Sequence, residues 1–119
     1  MPMINSDDGI GFGFSSMQSS LIGAEPKVIT GVGTTQTSAA TVISRGAELS
    51  PAASNTAFVL PSTAKTFNPF MLTNQQSTTA LVFVPAGHNL NSVANASVSI
   101  AQYATVIIWQ YKPKNWTYK

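Results

Sequence analysis

The chain contains no cysteine. That excludes disulfide stapling, thiol catalysis and any zinc site built on thiolates, and it suits maturation in a reducing compartment. Charge is almost as scarce: 8% of the residues are Asp, Glu, Lys or Arg, against about 25% in an average soluble domain. Ser, Thr, Asn, Gln and Ala must then cover much of the surface, and copies of such a surface repel one another weakly. The expectation is a chain that works packed against partners. The net charge of +2 is too small to drive binding to a phosphate backbone, so no nucleic-acid partner is expected. No apolar run approaches the ~18 residues of a membrane span. The opening MPMINSDDGIGFGF has no basic residue and carries Asp7 and Asp8 where the apolar part of a secretion signal would begin. The sequence therefore predicts a protein made in the cytoplasm with no membrane partner.

Catalytic equipment is thin. The acids are Asp7, Asp8, Glu25 and Glu48, none of them in the second half of the chain, and His88 is the one histidine. A paired-carboxylate mechanism would have to bring the N-terminal segment or an early loop onto the rest of the fold. A Ser-His-Asp triad has no G-x-S-x-G elbow to sit on. One histidine without thiolates or nearby carboxylates does not make a metal site within one chain; three copies of His88 meeting on a threefold axis are the one arrangement that would. Gly9, Gly11 and Gly13 have phosphate-loop spacing, but no strand precedes them and no helix follows. The expectation is no enzyme, no metal and no cofactor.

What the chain does have is 44% hydrophobic residues, enough for a core, arranged in two unlike parts. Residues 1–26 mix Gly and Ser with Phe12, Phe14, Met17, Leu21 and Ile22 and show neither helical period nor strand alternation. They read as an extended N-terminal arm. Its large apolar side chains are anchors on a neighbouring subunit, or the segment lies along its own domain or is a frayed terminus. Residues 27–119 read as short strands: KVITGV, TSAATVIS, TAFVLP, FNPFMLTN, ALVFV, ASVSIA, TVIIWQY and a final NWTYK. Turn signals recur about every ten residues, which points to a β-sandwich or barrel. One helical turn near residues 90–95 stays open, because Leu90, Val93, Ala94 and Ser97 fall at helical spacing. In VFVPAGHNLN, Pro85 ends a buried strand, Gly87 permits the turn and His88 is placed at a polar loop tip.

The C-terminal aromatics leave a choice. Trp109 and Tyr111 share a parity, as do Trp116 and Tyr118; each pair faces a core or subunit interface, or stacks a sugar. The basic tail YKPKNWTYK adds Lys112, Lys114 and Lys119 beside them and reads as the solvated end of a last strand.

From Phe58 to Trp116, the strand closing on Leu60-Pro61, the strand ending at Asn74, the ALVFVPAGHNLN segment and the NASVSIA and TVIIW strands resemble, in order, a β-sandwich module of tailed-bacteriophage virion proteins. The resemblance implies an all-β, jelly-roll-like antiparallel β-sandwich of seven to eight strands over residues 27–119, with no catalytic residues. It implies a structural virion protein, most similar to capsid decoration (cement) proteins, which bind the outside of the head and clamp neighbouring major capsid subunits. Expected partners are the major capsid protein and the chain itself, as a homotrimer rather than a homodimer, on the outer capsid surface. Phe12, Phe14, Met17, Leu21 and Ile22 would make the arm's contacts. The alternative is a tail or fibre-tip protein that binds host surface glycans through Trp116 and Tyr118. A small glycan-active enzyme is the third reading.

Overall fold

The computed structural model describes residues 27–119. They form eleven strands and, among the described residues, no helix: β1 (Lys27–Gly31), β2 (Ala40–Thr41), β3 (Gly46–Pro51), β4 (Thr56–Val59), β5 (Phe70–Asn74), β6 (Ala80–Phe83), β7 (Asn89–Leu90), β8 (Val93–Ala94), β9 (Ser97–Ile100), β10 (Ala104–Lys112) and β11 (Asn115–Tyr118). They lie in two sheets, ordered β1-β3-β5-β10-β11-β7-β8 and β2-β4-β6-β9. The first six strands visit the two sheets alternately. β1, β3 and β5 stack in parallel in one, and β2, β4 and β6 stack in parallel in the other. The chain thus winds as a coil that lays one strand on each sheet per turn, a β-solenoid of about four turns.

This corrects the expected antiparallel jelly-roll sandwich. The all-β class holds, but five of the nine strand pairings are parallel. Alternating apolar and polar residues show that a strand has one buried face, and are silent on which neighbour it pairs with. The rung length that would have shown the coil is irregular. Lys27 lies level with Ala47 and Ala47 with Leu72, offsets of 20 and 25 residues; Ala40 lies level with Phe58 and Thr56 with Ala80, offsets of 18 and 24. Corner loops of unequal length hide the period. The strand GAELSP, with Glu48 and Pro51 in it, carries little β-propensity and was not expected; it forms because β1 and β5 pair with it on either side.

The winding then reverses. After β6, Val84 and Pro85 lead into a turn closed by His88 N donating to Pro85 O at 3.0 Å, with Gly87 at φ 83°. β7 and β8 follow as a hairpin whose two turn residues, Asn91 and Ser92, both have positive φ, 48° and 71°, the pattern of a type I′ turn. A hairpin therefore stands where a helical turn near 90–95 had been open. It sends the chain back, so that β9 lies antiparallel on β6 and β10 antiparallel on β5. β11 folds back on β10 and fills the space between β10 and β7, which makes NWTYK the closing strand that the sequence suggested.

Inner-face residues stack in ladders. Phe58, Val82 and Val98 are level with one another in the smaller sheet, and Ile29 is level with Leu49 in the larger; all five are buried. One polar side chain is built into the core. Asn74 is fully buried, its amide nitrogen donates to the carbonyls of Thr78 at 2.7 Å and Ile100 at 2.9 Å, and its side-chain oxygen accepts from Gln76 N at 2.9 Å. It ties the loop after β5 to the end of β9. Asn74→Ala removes three hydrogen bonds made by a fully buried side chain and is expected to cost about 3 kcal/mol in urea unfolding. Asn74→Asp turns a carboxylate toward the same two carbonyls. That variant should be at least as unstable at neutral pH and recover relative to the parent as its carboxyl group is protonated.

Candidate functional site

The residue types that do chemistry meet at one place in the described fold, and there they are engaged with each other. His88, expected at a polar loop tip, is 7% exposed. Its Nδ1 accepts a hydrogen bond from Nε1–H of Trp116 at 3.0 Å. An indole nitrogen only donates, so Nδ1 is unprotonated and the ring is neutral with its proton on Nε2. Burial, and secondarily the charge of Lys114, hold the His88 pKa below its usual 6.5. Trp116 is fully buried, its ring centroid 6.1 Å from that of Phe70. Around the pair the backbone closes: Asn95 N donates to His88 O, Asn89 N to Lys114 O and Asn91 N to Trp116 O, each at 2.9 Å. The imidazole joins the reversal hairpin to the closing strand.

The surface offers binding rather than reaction. At one end of the coil both strands of the first turn, β1 and β2, are sheet edges, and this turn exposes Val28, Val32 and Ile43 at 60%, 80% and 76%. Beside it, a groove of about 440 Å³ runs between the corner before β3 and the loop before β5, with Arg45 and Lys65 on its walls, Val42, Pro61 and Phe70 among its apolar residues, and no carboxylate in its lining. A second groove of about 550 Å³ shares Thr41, Pro61 and Thr63 with the first and extends to Gln36 and Ala86. Phe67 stands out near the first groove, 69% exposed at φ 59°, its backbone N–H donating to Gln110 O at 2.8 Å. A bulky residue at positive φ is strained, and nothing in its neighbouring sequence marks it. Among the described residues no three His, Asp or Glu side chains cluster as a metal site.

Charge divides between the two parts of the chain. All six basic residues lie in residues 27–119 with Glu48 as the one acid there, while Asp7, Asp8 and Glu25 lie in residues 1–26 with no base.

The arm residues Phe12, Phe14, Met17, Leu21 and Ile22 lie outside the described residues. Of the two aromatics offered for a glycan or an interface, Trp116 is in the core and Tyr118 is 41% exposed. They share a parity, yet Trp116 lies opposite Gln110 inside the sheet while Tyr118 lies opposite Ile108 at the strand end. Burial of Trp116 traces to β7 pairing on its far side, a contact that no local pattern announces.

The His88–Trp116 bond makes stability pH-dependent. The folded state resists a proton that the unfolded chain takes up near pH 6.5, so this contribution is complete above pH 6.5 and declines as the solution is acidified below it. Replacing His88 by Phe strands the buried Trp116 N–H and should cost about 1–3 kcal/mol at pH 7.5. The same variant should flatten the slope of stability against pH just below 6.5, read by urea titrations across that range.

No family model, no curated protein and no solved structure matches this chain.

Proposed function

We propose that this chain is a structural virion protein, a capsid decoration protein that binds the outside of a phage head and bridges neighbouring major capsid subunits, working by contact alone. The observation that carries the reading is the asymmetry of the coil. One end is finished by the reversal hairpin and closing strand, with Trp116 and His88 sealed beneath it. Both ends carry sheet edges, β8 and β9 at this end and β1 and β2 at the other, but the first turn exposes three aliphatic side chains, Val28, Val32 and Ile43, against Val93 alone on β8 and β9, and its strand β1 directly follows the apolar segment of residues 1–26 in the chain. An uncovered sheet edge with apolar side chains favours association. Low charge favours close packing of many copies, and repetition over a shell multiplies a modest affinity.

A tail-tip protein that binds glycans through its C-terminal aromatics is less well supported, because Trp116, its largest flat side chain, lies in the core. The jelly-roll geometry first expected of the module gives the decoration reading no support; the end-to-end asymmetry does.

The chain should co-sediment with expanded capsids and be recovered from virions in numbers that match the capsomers. Phe12→Ser with Phe14→Ser should lower capsid occupancy about tenfold, the scale of losing two apolar anchors at an interface, with the thermal unfolding of the domain unchanged. Recovery of only a few copies per virion, or unchanged occupancy in that double variant, would count against the proposal.

A further inference from the structure

The corners of the first two turns differ in length. Four residues separate β2 from β3, whereas ten, from Leu60 to Pro69, separate β4 from β5. The longer loop cannot lie flush on the shorter corner, and the groove of about 440 Å³ with Arg45 on one wall and Lys65 on the other is the step between them. It continues into the groove of about 550 Å³ through Thr41, Pro61 and Thr63. The cleft is therefore elongated, and each part falls in the ~300–1,000 Å³ range of ligand sites.

Both walls are fixed from behind. Gln110 is 5% exposed; its Nε2 donates to Ala64 O at 2.8 Å, and its main-chain oxygen accepts from Phe67 N at 2.8 Å. The long loop is thus pinned on either side of Lys65. On the opposite wall Arg45 O accepts from Met71 N at 2.6 Å. A cleft whose backbone is already set loses little freedom when a ligand arrives. The long loop also holds Phe67 at φ 59°, and backbone strain of that kind collects in ligand-binding segments.

The chemistry of the lining selects the occupant. Val42, Ile43 and Pro61 make the walls apolar, and Ile43 is 76% exposed. Arg45 and Lys65 are both exposed, and the lining has no carboxylate to neutralise them. Two cations over apolar walls fit carboxylates flanked by aliphatic side chains. A sugar needs a flat aromatic to stack on, but the one aromatic in the lining, Phe70, is 4% exposed. A nucleic acid needs a longer run of cations. The body of a second copy offers only Glu48, the one acidic side chain in residues 27–119, on a strand paired along both edges.

We infer that this cleft is a docking site for an extended acidic segment of another protein, with Arg45 and Lys65 paired to its carboxylates and Ile43 covered by its aliphatic side chains. This goes beyond the decoration reading and stands without it, because the segment is recognised by its chemistry whatever assembly presents it.

The probe is the synthetic peptide acetyl-Val-Glu-Val-Glu-Val-amide, titrated into the isotope-labelled full chain and followed by NMR. The amide signals of Ile43, Ser44, Arg45, Thr63 and Lys65 should shift together and saturate. The matched peptide with Gln in place of Glu should bind about tenfold more weakly, the scale of two surface charge pairs. Arg45→Gln with Lys65→Gln should lose the same factor for the acidic peptide and unfold thermally like the parent, since both side chains are exposed. Ile43→Ser should weaken binding about fivefold, the scale of half-burying one aliphatic side chain. Absence of a saturable shift, equal binding of the acidic and Gln peptides, shifts that map away from the cleft, or unchanged affinity in either variant would each overturn the inference. So would tighter binding of trigalacturonate, which would make the cleft a site for acidic sugars. No capsid is present in this titration, so its outcome is read independently of co-sedimentation.

Discussion

A solenoid turn has nothing to bury its inner face against except the turns beside it and the opposite sheet. Phe58, Val82 and Val98 form one continuous ladder across three strands that are far apart in sequence, and every other feature of the molecule is a way of starting, turning or ending such ladders. The consequence is an end problem. An interior strand such as β5 has both edges paired, by β3 and β10, whereas the terminal strands leave backbone donors and acceptors facing outward.

The two ends solve that problem differently. At the C-terminal end the chain doubles back through a two-residue turn, so its last strands pair antiparallel on the coil and β11 is inserted between β10 and β7. Insertion brings an indole and an imidazole into the core, where each needs a partner; the 3.0 Å bond between Trp116 and His88 supplies one to both. A neutral histidine there is a structural acceptor, and its titration is a cost of the closure. At the N-terminal end no comparable device exists within residues 27–119, and aliphatic side chains on the first turn remain exposed.

How much of this was legible in the sequence depends on the range of the forces involved. Strands governed by their own residues were readable: the β-branched run at Val28–Thr30, the alternation of Ser97–Ile100 and the closing NWTYK all form strands. So was the punctuation of VFVPAGHNLN, because Pro85 and Gly87 act through local sterics. Pairing partners were not readable, because parallel and antiparallel neighbours demand the same alternation and the rungs differ in length by several residues. His88 and Trp116 fell in the same gap. His88 reads as a polar loop tip and Trp116 as an aromatic open to a core, an interface or a sugar, and their meeting depends on a strand order that neither segment encodes alone.

That same limit shapes the functional argument. Sequence resemblance to a phage virion module pointed toward a binding protein while implying the wrong sheet architecture, so the function cannot lean on the jelly roll. It leans instead on polarity: both ends carry sheet edges, but one is doubled back and locked by an inserted strand while the other exposes the aliphatic side chains of its first turn, so the coil has a direction, and a module with a direction can be oriented on a surface. The bases of residues 27–119 sharpen that direction, since Arg45 and Lys65 border a groove beside the first turn that has no carboxylate in its lining, and such a corner favours a partner that brings negative charge.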